Sequence, residues 1–168
     1  MQEMESFFNG LVRQYSEPLY WHVRSMVGSH EDADDLLQEI YIKVWKALPG
    51  FRGDSDPFTW LWRIATNETI SHLRKARVRA ALSFSRLDAE AERISDPDPV
   101  MDGDKALRAL RKAVLSLPDK QRMVFAMRYW QDLSYEQISE ITGTGVGALK
   151  ASYHIAYEKI KQYLTGED

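Results

Sequence analysis

The sequence contains no cysteine among its 168 residues. Disulfide frameworks, thiolate zinc sites and cysteine nucleophiles are thereby excluded together. Glycine and proline are scarce, nine and six residues, too few for a disordered or fibrous chain. Long apolar runs are missing as well: nowhere do about 18 uncharged apolar residues follow one another, as a membrane span requires. The first residues, MQEMESFFNGLVRQ, carry acids and no apolar block, which predicts no export signal, no membrane insertion and a cytoplasmic location. What is present, 44% hydrophobic and 28% charged residues, describes a globular chain of one ordinary domain or two small ones.

A net charge of -3 would count against nucleic-acid binding if it were evenly spread. It is not. Residues 1–78 hold 9 basic and 11 acidic side chains, residues 79–104 hold 3 and 7, and residues 105–168 hold 10 and 7. The middle segment, DAEAERISDPDPVMDGD, joins dense acid to Pro97, Pro99 and Gly103 without apolar periodicity. It reads as a flexible acidic linker. From Thr69 to Leu87 there is no acid, while Arg74, Lys75, Arg77, Arg79 and Arg86 are basic.

Both flanking segments repeat apolar residues at three- and four-residue spacing, which predicts an all-α chain of two small helical domains. In the first, one or two helices over about 4–27 end at Gly28, and Ser29 offers an N-cap for a helix running to about Leu48, stopped by Pro49-Gly50. After the loop FRGDSDP, Asp56 can cap a helix that begins at Pro57 and continues to about Arg77. In the second, helices are expected at about 104–116, 119–131, 134–141 and 146–164.

Two helices of the first domain carry unusual outer faces. Between Glu31 and Leu48, the residues Ala33, Leu37, Ile40, Tyr41, Val44 and Leu48 share the core side at 100° per residue. Asp35, Gln38, Glu39 and Ile42 lie opposite. An apolar residue flanked by carboxylates fits a helical partner with basic residues, although a single exposed isoleucine is also common. Between Pro57 and Arg77, a stripe of Trp60, Arg63, Asn67, Ser71 and Arg74, with Lys75 near its end, offers a ring, cations and an amide. Single-stranded nucleic acid needs those groups for stacking, phosphate and base edges; a core Trp60 with a solvated basic surface is the alternative. The loop Phe51-Arg52-Gly53-Asp54-Ser55 could receive a flipped base or simply connect two helices.

The C-terminal segment has helix-turn-helix spacing. Ser134-Tyr135-Glu136-Gln137 forms a capping box, Leu133 and Ile138 a hydrophobic staple, and the turn TGTG precedes a second helix beginning near Val146. Leu149, Tyr153, Ala156 and Ile160 are expected to face the core. Gly147, Ala148, Lys150, Ala151, His154 and Ile155 present small and apolar groups outward, suited to close approach to DNA and contact with thymine methyls. A purely structural helical hairpin is the alternative. No catalytic, metal or cofactor site emerges. The glycines at 143, 145 and 147 follow a helix where a phosphate loop requires a strand, the acids at 31–35 lack calcium-loop spacing, and the four histidines are scattered.

In this order, EDADDLLQEIYIKVWKAL, FRGDSDPFTWLWRIATNETISHLRK and LSLPDKQRMVFAMRYWQDLSYEQISEITGTGVGALKASYHIAYEKI resemble regions two and four of the extracytoplasmic-function sigma factors of bacterial RNA polymerase. The resemblance implies a transcription initiation factor and not an enzyme, with no cofactor. Residues 1–78 would form region two, 79–104 a linker threading polymerase channels, and 105–168 region four. It assigns Asp35, Gln38, Glu39 and Ile42 to the clamp helices of the largest polymerase subunit. Phe51, Arg52, Asp54, Trp60, Arg63, Asn67, Arg74 and Lys75 go to the minus-ten promoter element. Ala148, Lys150, Ala151, Ser152, His154 and Ile155 go to the minus-thirty-five element. An anti-sigma partner is common in such a family, though no motif here names one.

The recognition helix departs from the family pattern. Where many members have a run like KSRLHRAR, this chain has Lys150-Ala151-Ser152-Tyr153-His154-Ile155-Ala156-Tyr157, so Ser152, Ile155 and Tyr157 replace three guanidinium groups. Weaker DNA binding with a shallower salt dependence is expected. A helix-turn-helix regulator unconnected with polymerase would have no use for the face around Ile42, and a small helical enzyme would need the clustered acid, base or nucleophile that this chain lacks.

Overall fold

The computed structural model describes residues 1–82 and 104–166, and residues 83–103 of the expected linker, with Asp96, Asp98 and Asp102, lie outside them. Among the described residues, seven α-helices follow one another: α1 (Gln2–Arg24), α2 (His30–Ala47), α3 (Pro57–Ala81), α4 (Lys105–Leu115), α5 (Asp119–Phe125), α6 (Tyr135–Thr142) and α7 (Val146–Thr165). A short 3₁₀ turn (Leu48–Gly50) closes α2, and a π-helical turn (Ala126–Trp130) extends α5.

Local chemistry sets most boundaries. Ser29 Oγ accepts from Asp32 N at 3.2 Å and Asp56 Oδ1 from Phe58 N at 3.0 Å, each satisfying an amide that has no partner within the first turn. Ser134 and Gln137 form the full reciprocal box, with bonds of 3.1 and 2.9 Å. Gly143 ends α6 at φ 76°, a left-handed conformation that glycine adopts without steric cost.

Of the one or two helices expected first there is one, and two later boundaries differ from expectation. The first helix is continuous through Pro18; Leu11, Leu19 and Val23 lie buried on both sides of it, and their packing offsets the backbone bond that proline cannot make. Helix α3 runs on to Ala81 rather than stopping near Arg77, since no glycine or proline intervenes. The helix expected over 119–131 becomes α5 plus the π turn, in which Gln131 N donates to Ala126 O. Asp132 then adopts φ 53°, a conformation that a short polar side chain tolerates.

Helices α1, α2 and α3 pack around Leu19, Val23, Leu36, Ile40, Val44, Leu61, Trp62 and Ala65, all nearly inaccessible. Leu36 joins this core beside the residues expected there. Trp62 is its aromatic centre, with Phe58 stacked at 4.1 Å, His22 at 5.4 Å and Tyr15 edge-on at 5.9 Å between ring centroids. In the C-terminal unit, Phe125 stacks on Tyr129 and Tyr153 at 5.0 and 5.7 Å and sits with Val114, Leu117, Ala156 and Ile160. The two units touch. Helix α3 packs against α5 and α6, and the apolar core of the first unit continues into Met123, Met127, Leu133, Ile138 and Leu149.

Candidate nucleic-acid interface

The outer face of α2 is open: Asp35, Gln38 and Glu39 are exposed, and Ile42 is 55% exposed. Beside Ile42, one turn on, Trp45 is 37% exposed and rests edge-on against Phe8 at 5.3 Å. The three-residue spacing from Ile42 was the available signal for Trp45. Its large ring enlarges the apolar patch beyond what one isoleucine provides. Lys43 pairs with Glu68 and ties α2 to α3 at the edge of this face.

Around the loop after α2, the two aromatics expected to meet DNA engage each other. Phe51 lies between Phe7, stacked at 5.6 Å, and Trp60, at 4.7 Å; both Phe51 and Trp60 are half-buried. They form a wall, while Arg52 and Asp54 project from the loop into solvent. Along α3, Arg63, Asn67 and Arg74 are exposed at positions that share one side, and Lys75, next to Arg74, is exposed as well. Asn67 also lines a surface cavity of about 580 Å³ with Lys43, Lys46, Ala47, Ile64 and Glu68. Arg63 is not free: its Nε donates to the main-chain oxygen of Glu140 at 2.7 Å.

On the inner side of α3, a chain of polar bonds crosses between the two units. Trp62 Nε1 donates to Gln131 Oε1 at 3.0 Å. Gln131 Nε2 donates to His22 Nδ1 at 2.7 Å, and the remaining ring nitrogen of His22 meets Thr66 Oγ1 at 2.9 Å. An acceptor at Nδ1 fixes the neutral tautomer with its proton on Nε2. Burial lowers the His22 pKa from 6.5 to about 4, against the smaller opposing effect of the Gln131 bond. Neither His22 nor Gln131 stands out in the sequence, because partners 109 positions apart leave no local signal.

In the C-terminal unit, Ala148, Lys150, Ala151, His154 and Ile155 project from α7, Ile155 being 47% exposed. Ser152 is half-buried at the edge of that face, turned toward the side from which Leu149 and Ala156 reach the core. Tyr135 carries two cations over its ring, Arg128 at 5.2 Å and Lys150 at 5.8 Å from the centroid. Such contacts restrain long side chains without neutralising them. Arg128 Nη1 also donates to Leu133 O at 3.2 Å. Arg128 and Tyr135 were absent from the expected interface, because their juxtaposition depends on the break at Asp132.

Among the described residues, no helix is long and apolar enough to cross a membrane, and no three His, Asp or Glu side chains gather as metal ligands would.

Comparison with known proteins accounts for both units. Residues 11–79 match the family model of sigma-70 region 2, and residues 107–160 that of sigma-70 region 4. The ECF RNA polymerase sigma-E factor of Escherichia coli (strain K12) is 33% identical over 161 residues, covering 91% of this chain and 84% of that protein. The RNA polymerase sigma-H factor of Pseudomonas aeruginosa is 30% identical over 165 residues, covering 94% and 86%. Among solved structures, the sigma factor RpoE in complex with the anti-sigma factor NepR from Bartonella quintana aligns with a TM-score of 0.74 at 23% identity, over 96% of this chain and 98% of that one. CnrH in complex with the cytosolic domain of CnrY aligns at 0.67 and 21% identity, over 98% and 91%. With two sigma regions in family order and relatives matched along nearly their whole length, this chain belongs to the extracytoplasmic-function sigma factors of RNA polymerase.

Proposed function

We propose that this sigma factor, which serves transcription initiation, divides its work among three faces, acting in the cytoplasm as a binding protein and not an enzyme. Residues 1–78 hold core polymerase through Asp35, Gln38, Glu39 and Ile42, where exposed carboxylates around an apolar centre suit basic helices such as the clamp. The same region engages the melted minus-ten strand. Arg52, Arg63, Arg74 and Lys75 neutralise phosphates, Asn67 and Asp54 offer donors and acceptors to base edges, and the Phe51–Trp60 wall supports an extruded base. Unstacking is offset by these contacts without ATP.

Residues 105–168 read the minus-thirty-five element through α7. Ala148, Ala151 and Ile155 allow close approach to the major groove, with Lys150, Ser152 and His154 supplying polar contacts. Residues 79–104 connect the two. An anti-sigma protein would act by covering these faces. The observation that carries the reading is the exposure of the acidic-apolar face of α2 together with that of the cationic side of α3, on one helical unit.

Run-off transcription with purified core polymerase tests it, on promoters recovered by sequencing DNA bound to the holoenzyme. Specific transcripts that depend on this protein are expected. Duplex binding without polymerase and no transcript from any recovered promoter would overturn the reading.

A further inference from the structure

Phe7 and Phe8 are neighbours on α1, and at about 100° per residue their rings leave the helix toward different elements. Phe8 meets α2, edge-on to Tyr41 at 6.3 Å and to Trp45 at 5.3 Å. Phe7 turns instead to the loop after α2 and stacks on Phe51 at 5.6 Å, with 18° between the ring planes. The core does not depend on that contact. Leu11 is the first buried residue of α1, and Phe7 is itself 38% exposed. Phe8 already fastens this end of α1 to α2, so a second large ring on an exposed turn serves the loop.

We propose that Phe7 is a positioning residue for the minus-ten interface: it fixes Phe51, and through it the start of the loop that carries Arg52 and Asp54 to the melted strand. The inference rests on the reading of that loop above and adds a residue of α1 to it.

Backbone geometry shows why the loop needs holding. At its start Phe51 N donates to Leu48 O at 3.0 Å, and at its far end Asp56 caps α3 through Phe58 N. Between them the chain forms no helix or strand, passes Gly53 at φ 76°, and leaves Arg52, Gly53 and Asp54 exposed. Such a segment can adopt many conformations, and binding a strand would then bear the entropy of choosing one. Clamping Phe51 between a ring of α1 and a ring of α3, Trp60 at 4.7 Å, makes that choice on folding instead. Two helices thus converge on one loop side chain. With Phe7 removed, one face of Phe51 opens to water and the stack keeps only Trp60, tilted by 42°.

The test uses the full chain in holoenzyme, at saturating core polymerase, with a labelled single-stranded oligonucleotide carrying the non-template minus-ten sequence of a recovered promoter. Fluorescence anisotropy is expected to show Phe7→Ala weakening this binding about fivefold, roughly the worth of one aromatic stack, and Phe7→Tyr restoring it to within about twofold. A cycle with Phe51→Ala separates support from direct contact. If Phe7 acts through Phe51, Phe7→Ala costs nothing further in the Phe51→Ala chain. A second, full loss there would mean that Phe7 touches DNA itself, and would overturn the positioning role. Unchanged binding by Phe7→Ala overturns it too, as does a tyrosine that fails to rescue. Phe51→Ala alone distinguishes the inference from the reading beneath it: binding weakened by Phe51→Ala but not by Phe7→Ala rejects the inference alone, whereas binding unchanged by Phe51→Ala rejects the loop reading and the inference with it.

Discussion

Gln131 donates to His22 Nδ1 at 2.7 Å across 109 positions of sequence, at a fully buried imidazole where α1, α3 and region four meet. Its first consequence is a pH dependence of stability. The folded pKa of about 4 lies below the ordinary 6.5 because burial disfavours the imidazolium. Between those values the unfolded chain binds the proton and the folded chain does not. The stabilisation is therefore complete above pH 6.5 and is lost as pH falls toward 4, to a total on the order of 3 kcal/mol. Urea denaturation at pH 7.5, 6 and 5 checks it. The difference between the parent chain and His22→Gln should change over that interval, and a constant difference would refute the assignment.

The polymerase face gives a separable prediction. Ile42 is exposed, and surface substitutions usually alter stability by no more than about 0.5 kcal/mol. Ile42→Arg should leave the melting temperature nearly unchanged and weaken core-polymerase affinity about tenfold or more, equivalent to ~1.4 kcal/mol. Surface plasmon resonance with immobilised core enzyme measures it. Unchanged affinity would remove Ile42 from the interface.

On α7, salt titrations distinguish phosphate contacts from packing. Lys150→Ala should reduce the slope of log affinity against log salt by about 1, and Ile155→Arg should increase it by a similar amount. Anisotropy of a labelled promoter duplex with the holoenzyme, across a potassium chloride series, reads both. If Ile155→Arg leaves affinity and slope alone, position 155 does not face DNA.

The turn between α6 and α7 depends on local backbone chemistry. Ser134→Ala removes the acceptor for Gln137 N and should cost about 1 kcal/mol. Gly143→Ala puts a Cβ at φ 76°, where the open space around it does not relieve backbone strain, and should cost about the same. Thermal melts of both variants should show lowered midpoints with retained helicity. A midpoint equal to that of the parent chain for either would contradict the corresponding bond or strain.

Most helix positions were legible because caps and breakers act within a few residues of one another. Ser29, Asp56, Ser134 and Gly143 each stand where their chemistry is used. The exposure of Ile42 and Ile155 was legible too, since 100° per residue places a side chain relative to its own helix. Periodicity could not give the end of α3, where favourable residues simply continue, or the π turn, after which Gln131 meets Trp62 and His22 of the first unit. It could not show that Phe51 and Trp60 spend their faces on each other.

Composition and pattern thus sufficed for an all-helical chain with its acid concentrated between two helical regions, and the three motifs in order for its resemblance to the sigma factors. That Trp62, His22 and Arg63 find partners in region four came from folding alone. Helical periodicity constrains a residue's neighbours only a turn or two away. The partners 69 and 109 positions distant are chosen by how two packed surfaces leave the buried polar atoms of Trp62 and His22, which must be satisfied where water cannot reach, and the exposed bond of Arg63, 77 positions long, follows from the same packing.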